Sequence, residues 1–384
     1  MTKRTKKPAT RRNFVKTIGS GLSLVGLSNV AGASEDTVEI VTLIANGDPI
    51  EKRTVPRSWH QHFQNARRAT RRLGSSELEK NGVKSVSLGR GSKKFGGQRG
   101  FRIRLEVDSE NYRGTPPRKK DKIPIETIEP RETGPSCYSD NQFSSVPGGA
   151  KIEYGSTYGT TNAVVKDPSN NTRLLTCAHI FDGCTRSDEG VGLSVDQAGQ
   201  SLGEVVWTEP SEDIALVEIT NNNLTYDNRI REETDIYAHY EPVYAHFSDG
   251  GIGMLISDND TIRQAGVTTG ISDGKMLEMD LNEADSSNDP DVDCVTWGGP
   301  GTQEGFGIET SANNAQGNSG GPIYQMLERN GEMVVGLAGM IQQWAGFNRN
   351  VSGCGGSTLI EGKNTLGAAW YRIEDEYDID PLVT

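Results

Sequence analysis

Short β-rich segments separated by turn residues recur along the chain from residue 149 to the C-terminus. The segments lie about ten residues apart, and Gly, Asn, Asp and Ser separate them. Helical periodicity is found mainly at the end, around residues 370–380. This pattern predicts an all-β sandwich or barrel that ends in a helix.

The composition excludes several other classes of protein. Hydrophobic residues make up 34% of the 384 residues, and 46 glycines raise the apolar share to an ordinary globular value. Wholesale disorder, collagen and coiled coils are therefore excluded. No apolar run is long enough for a stable membrane span, and five cysteines are too few for a disulfide-dense scaffold.

Charge divides the chain into a basic front and an acidic body. Residues 1–133 carry 28 Lys+Arg and 14 Asp+Glu, and residues 134–384 carry 12 and 38, so the balances are +14 and −26. An acidic surface that is poor in lysine indicates a protein adapted to high salt, where self-repulsion is screened, and the alternative is a merely acidic protein. Because phosphate contacts need clustered Lys and Arg, we do not expect nucleic acid as a partner.

The first 33 residues have the features of an export signal. Lys3, Arg4, Lys6 and Lys7 precede the paired Arg11-Arg12, a mild apolar stretch follows, and Ala31-Gly32-Ala33 forms a cleavage pattern. This segment resembles a twin-arginine signal, which predicts a secreted protein. The alternative is a basic amphipathic first helix.

The next segment, residues 34–133, reads as a small α+β unit, and Pro, Gly and Ser mark residues 134–148 as a linker. We interpret the segment as a leader or pro-segment that docks within the molecule. The alternatives are a permanently attached, independent small domain and a basic module that binds anionic surfaces. The predicted elements are strands at 37–44, 82–88 and 100–107 and a helix at 57–73.

Three short motifs in residues 149–384 contain a histidine, an aspartate and a serine. His179 follows an apolar strand in Leu174–Ile180, and Asp213 precedes a β-rich run in Glu212–Ile219. Ser319 lies in Gly317-Asn318-Ser319-Gly320-Gly321-Pro322, where glycines permit a tight turn. Each motif alone is weak evidence, but their order, His, Asp, Ser, makes the set specific.

The set resembles the chymotrypsin-like serine proteases over roughly residues 145–384. Gly266–Gly270 and Val335–Gly339 are similar to segments of the secreted, streptogrisin-like branch. The resemblance implies two antiparallel six-stranded β-barrels with the active site between them. It places His179 on the first barrel, Asp213 nearby and Ser319 on the second.

The resemblance also implies the role of each residue. Ser319 attacks a peptide carbonyl, His179 transfers the proton, and Asp213 orients the imidazole. The backbone amides of Gly317 and Ser319 form the oxyanion hole. The base of the specificity pocket falls at Asn313 and one wall at Gly339, Met340 and Ile341, which indicates small or medium apolar side chains in the substrate.

Three positions depart from the family pattern. Asn318 replaces an aspartate that, in digestive members, pairs with a newly cut N-terminal amine, so that activation switch is not expected here. Ile180 replaces the usual cysteine after the histidine, and Cys177 replaces a small residue. The candidate disulfides are Cys177–Cys184 and Cys294–Cys354, with Cys137 left over.

The sequence thus predicts a secreted serine endopeptidase that acts on protein or peptide substrates. It predicts no cofactor and no metal site, because the acidic run around Asp289, Asp291 and Asp293 lacks the later residues of a calcium loop. The alternatives are a catalytically silent binding protein with the same fold, and the anionic-surface module in residues 34–133.

Overall fold

The structure is a computed structural model that describes residues 36–78, 80, 82–107, 112, 115–128, 142–181, 189–233, 238–283, 307–345, 349–352, 358–362 and 364–383. These residues lie in one compact unit, Glu35–Thr384. No helix among them is both long and apolar enough to cross a membrane. The predicted signal, residues 1–33, lies outside the described residues.

The described helices are α1 (Arg57–Glu77), α2 (Asp249–Asp258) and α3 (Trp370–Tyr377), with short 3-10 helices at Ala178–Phe181 and Pro210–Glu212. The strands are β1 (Thr37–Ala45), β2 (Asp48–Pro56), β3 (Val83–Phe95), β4 (Gln98–Val107), β5 (Lys119–Lys120), β6 (Ile123–Ile128), β7 (Ser145–Gly148), β8 (Lys151–Tyr154), β9 (Thr157–Thr160), β10 (Val164–Lys166), β11 (Thr172–Thr176), β12 (Ser194–Gln197), β13 (Gln200–Glu209), β14 (Ile214–Ile219), β15 (Thr225–Glu233), β16 (Ala238–Phe247), β17 (Thr261–Gly266), β18 (Gly270–Glu283), β19 (Gly307–Thr310), β20 (Asn314–Ala315), β21 (Pro322–Arg329), β22 (Glu332–Ala345), β23 (Arg349–Ser352), β24 (Thr358–Gly362), β25 (Asn364–Ala369) and β26 (Asp380–Pro381).

The first barrel is a closed ring of antiparallel strands. The ring runs β8, β9–β10, β11, β14, β13, β12 and back to β8, which makes six strand positions. Strands β9 and β10 act as one position because Asn162 and Ala163, between them, continue the hydrogen bonding to Leu175 of β11. Its interior is apolar, with Val165, Leu175 and Val217 fully buried.

The second barrel closes in the same way. Strands β17, β18, β19, β25, β22 and β21 pair antiparallel in a ring of six. The chain then leaves β25 directly into α3, and β26 pairs with β10 of the first barrel. The predicted fold of two six-stranded barrels with a C-terminal helix is therefore confirmed.

The segment before the linker joins the second barrel through strand pairing. Strand β1 pairs with β2 on one side and with β16 on the other, and β3 pairs with β4 and with β18. Trp59 and Phe63 of α1 are buried against this sheet, in one apolar cluster with residues of the second barrel. The segment is thus an α+β extension of that barrel's sheet.

Helix α1 ends later than the sequence indicates. Gly74, expected just after its end, lies inside the helix, which continues to Glu77. Leu73 and Leu78 both pack into the apolar cluster, and burial of this face outweighs the roughly 1 kcal/mol by which glycine weakens a helix. The predicted boundaries 34–133, 134–148 and 149–384 stay predictions.

Candidate active site

His179 lies in the short 3-10 helix that follows β11, and Asp213 lies directly before β14. The backbone amide of His179 donates to Asp213 Oδ1 at 2.9 Å, and the ring Nδ1 lies 2.7 Å from Oδ2. Asp213 has a left-handed backbone, with φ of 51°, and its side chain is fully buried, whereas that of His179 is 31% exposed. The two contacts fix the orientation of the imidazole.

The charge of Asp213 determines the proton affinity of this ring. Burial alone would lower the pKa of His179, but the nearby carboxylate and its hydrogen bond raise it above the usual value. Because a carboxylate only accepts hydrogen bonds, the neutral ring carries its proton on Nδ1 and its lone pair on Nε2. Such a ring can take a proton from a bound nucleophile.

Ser319 lies in a tight turn whose backbone conformation requires glycine at positions 317 and 320. Gly317 and Gly320 have φ of 94° and 90°. A Cβ on Gly317 would lie 2.2 Å from the ring of Tyr158, and one on Gly320 would lie 2.1 Å from the carbonyl oxygen of Thr160. The glycines thus let the turn fold closely against the first barrel.

Asn318 anchors the same turn to the second barrel. Its Oδ1 accepts hydrogen bonds from the amides of Thr268 and Thr269 at 2.9 and 3.1 Å, and its Nδ2 donates to Thr269 Oγ1 at 2.7 Å. The side chain is fully buried. The neutral side-chain amide of Asn318 is therefore held by Thr268 and Thr269 of the same chain.

Gln342, which the sequence analysis did not single out, connects Asp213 with Ser319. Its side-chain Nε2 donates to the backbone carbonyl oxygens of Glu212 and Asp213, at 2.5 and 3.3 Å. Its backbone carbonyl accepts a hydrogen bond from Ser319 Oγ at 3.4 Å. A second contact between the barrels runs from the Thr160 amide to the Ser319 carbonyl, at 2.8 Å. The structure thus brings the three motifs into one region.

Asn162 is a further buried polar residue that the sequence analysis did not identify. Its Nδ2 donates to the carbonyl oxygens of Gly321 and Gly339, at 3.2 Å each. The first is two residues beyond Ser319, so Asn162 of the first barrel also holds the serine turn. A lone asparagine between two apolar strands gives no sequence signal for this role.

Cys177 is a free, fully buried thiol rather than half of a bridge to Cys184. Its Sγ donates to the Ile341 carbonyl at 3.2 Å. Burial, and then the charge of Asp213, raise the pKa of the thiol well above its usual value, so it stays protonated and is a poor metal ligand. Cys184 lies outside the described residues, as do Cys137, Cys294 and Cys354.

The residues predicted to form the specificity pocket lie in two regions, around Asn313 and on β22. The carbonyl of Asn313 accepts hydrogen bonds from Gln264 Nε2 and from Ser272 Oγ, the latter at 3.0 Å. Met340 and Ile341 are fully buried, and β22 reaches the serine turn through its main chain, where Gly320 N donates to Ile341 O at 2.7 Å. Their part in substrate selection stays a prediction, as does that of Gly339.

Glu212, next to the catalytic candidate Asp213, is a partly buried acid. Burial raises its pKa to about 8, Arg372 opposes this, and the charges of Glu209 and Glu376 add to it. Below that pH the Glu212 carboxyl is neutral and adds no negative charge next to Asp213.

Comparisons with known proteins give distant structural similarities. No family model matches the chain, and no curated protein matches it. Protease A of Thermobifida fusca is 15% identical, with 62% of this chain and 100% of that chain covered and a TM-score of 0.40. A Nocardiopsis protease is 15% identical over 62% and 98% of the two chains, with a TM-score of 0.39.

A chymotrypsin of Cellulomonas bogoriensis is similar at 17% identity, with 62% and 100% coverage and a TM-score of 0.39. These values lie below those that assign a chain to a family. The fold assignment therefore rests on the strand pairing, and the site on the contacts around His179, Asp213 and Ser319.

Proposed function

We propose that the protein is a serine endopeptidase that hydrolyses protein substrates through an acyl-enzyme. The observation that carries this proposal is the 2.7 Å contact between His179 Nδ1 and Asp213 Oδ2, in a site where Gln342 contacts both Asp213 and Ser319. A histidine oriented by a buried carboxylate and placed near a serine is the arrangement that activates a hydroxyl nucleophile.

The reaction has two stages. In the first, Ser319 Oγ bonds to the substrate carbonyl carbon while its proton passes to His179 Nε2, and the amine leaves with that proton. In the second, water attacks the ester carbonyl while His179 takes the water's proton. The bond between the acyl carbon and Ser319 Oγ then breaks, the acid product leaves, and His179 returns the proton to Ser319 Oγ. Asp213 stabilises the imidazolium in both stages.

The negative oxygen that forms during each attack needs hydrogen-bond donors. We assign this role to the backbone amides of Gly317 and Ser319. The assignment is supported by the glycine-dependent shape of the turn, whose flanking residues have positive φ, and by the anchoring of Asn318 between the two amides.

The test is hydrolysis of casein by purified protein. Ser319→Ala removes the nucleophile and should lower turnover by about a millionfold. Ser169→Ala, at an exposed serine of the β10–β11 turn, is the matched control and should retain full activity. Substantial cleavage by Ser319→Ala would contradict the assignment.

For localisation, we propose export by the twin-arginine route, which rests on Arg11-Arg12 and the cleavage pattern that follows. Replacing both arginines by lysine should leave the protein inside the cell. The control is Arg4→Lys, which leaves the pair intact. Fractionation and immunoblotting measure the result, and normal secretion of the double variant would count against this route.

For residues 34–133, we propose a pro-segment that templates the second barrel during folding. Support comes from β1 pairing with β16 and β3 with β18, and from Arg67 Nε, which lies 2.6 Å from the fully buried Asp280. Removing one partner of a buried ion pair costs about 3–5 kcal/mol.

Arg67→Gln should therefore lower the yield of folded protein severalfold. Arg68→Gln, at an exposed position of the same helix, should not. Equal yields from the two variants would favour an independent module.

A further inference from the structure

A second group of titratable side chains lies apart from the candidate active site, on three elements distant in sequence. His246 is on β16, Glu374 on α3 and Asp380 on β26. Strand β16 lies between β1 and β22, and Asp380 pairs with Lys166 of the first barrel. The group therefore lies where the C-terminal tail meets both barrels.

The geometry of the group is that of a ligand set. One nitrogen of His246 and one oxygen each of Glu374 and Asp380 lie within 4.8 Å of one another. In a tetrahedral zinc site with bonds of about 2.1 Å, ligand atoms are roughly 3.4 Å apart. A side-chain adjustment of about an ångström would therefore close this group around an ion.

Two buried atoms in the group make no hydrogen bond of ordinary geometry within the described part of the chain. His246 is 0% exposed, and its Nε2, 3.2 Å from Glu374 Oε2, makes no hydrogen bond of ordinary geometry to a described residue. Within the same described part of the chain, Asp380 Oδ1 is likewise buried without a hydrogen-bond partner. Buried polar atoms without partners are costly, and here two of them belong to residues whose ligand atoms lie within 4.8 Å of one another.

Charge also favours a cation at this point. Burial would raise the pKa of Glu374, but its contact with His246 holds that pKa below its usual value. Burial and then the charge of Glu374 raise the pKa of Asp380 to about 6. Two carboxyl groups that lie together with one imidazole nitrogen supply the negative charge that a bound divalent cation requires.

We propose that His246, Glu374 and Asp380 bind one divalent transition-metal ion of the zinc class, with water completing the coordination. The imidazole nitrogen selects this class, because Ca²⁺ and Mg²⁺ take oxygen ligands. The ion ties β16, α3 and β26 together, so it acts on stability and holds the C-terminal tail against both barrels. The ring of Trp370, centred 6.4 Å from that of His246, packs beside the ion-binding histidine.

The test uses the full chain, stripped of metal with a chelator and titrated with ZnCl2 at pH 7.5 by calorimetry. We expect one zinc ion per chain with a dissociation constant below about 1 µM. At free zinc a hundredfold above that constant, the melting temperature should rise by about 5 °C. CaCl2 at the same concentration should leave the melting temperature unchanged.

Asp380→Asn removes one ligand with little change of shape and should weaken zinc binding at least about a hundredfold. Glu376→Gln, on the same helix but paired with Arg372 at 3.0 Å, is the matched control and should bind as the wild type does. Circular dichroism checks folding, and if Asp380→Asn fails to fold, Glu374→Gln replaces it.

A third variant, His179→Ala, separates this site from the candidate active site and should still bind one zinc ion. Three results would overturn the proposal. They are the absence of stoichiometric zinc binding, equal stabilisation by calcium, and binding that is lost in His179→Ala but kept in Asp380→Asn.

Discussion

His179 and His246 each lie beside a carboxylate, but their surroundings differ. His179 contacts Asp213 through Nδ1 and has a side chain that is 31% exposed. His246 contacts Glu374 through Nε2 and is enclosed completely. A histidine–carboxylate pair is therefore not by itself evidence of catalysis. A partly exposed ring whose aspartate is linked through Gln342 to Ser319 suits proton transfer, and an enclosed ring with a second carboxylate suits ion binding.

The largest expected difference between the two pairs is in turnover. Asp213→Asn leaves the wrong imidazole tautomer and should lower kcat by about ten thousandfold. Asp380→Asn makes the same chemical change at the second carboxylate near His246 and should alter kcat by less than about threefold, since Asp380 has no part in the proposed reaction. Peptide hydrolysis by the two variants measures this, and similar losses in both would break the comparison.

The two histidines should also differ in their effect on the pH dependence of activity. Only neutral His179 can accept the serine proton, and its pKa is raised by Asp213. Activity should therefore fall as pH decreases through a midpoint above about 6.5, by about tenfold for each further pH unit. His246→Gln should leave that midpoint in place. A midpoint that moves with His246 would show that the wrong ring has been assigned.

The smallest expected effect is on stability. It concerns Glu212, the residue next to Asp213, in contrast to Glu374, whose pKa is lowered by His246. Burial raises the pKa of Glu212 to about 8, whereas its value in an unfolded chain is near 4.3. Between those values the folded state binds more protons than the unfolded state, so stability falls as pH rises.

Glu212→Gln removes this titration and should flatten the decline between about pH 4.3 and 8. Urea unfolding at several pH values measures the slope. Identical slopes in the variant and the wild type would mean that Glu212 titrates normally.

The parts of the site that the sequence could predict are those encoded locally. His179, Asp213 and Ser319 each lie in a short motif whose flanking residues also build the turn or strand that holds it. The glycines around Ser319 illustrate this, because their positive φ and close contacts explain why those residue types occur there.

The parts that the sequence could not predict depend on contacts between distant segments. Gln342 connects two motifs only because β22 passes beside both. His246 gains its acidic neighbours through α3 and β26, more than a hundred residues later. Nor did the basic pattern of α1 indicate that Arg67, unlike its exposed neighbours, would be buried against Asp280.

The central claim is that Ser319 is a nucleophile activated by His179. The most direct test is covalent labelling of the full chain with a fluorophosphonate, followed by mass spectrometry of the labelled peptide. The account predicts one label per molecule, on Ser319, and a loss of labelling in His179→Ala. A folded wild-type protein that takes no label, or takes it on another residue, would contradict the account.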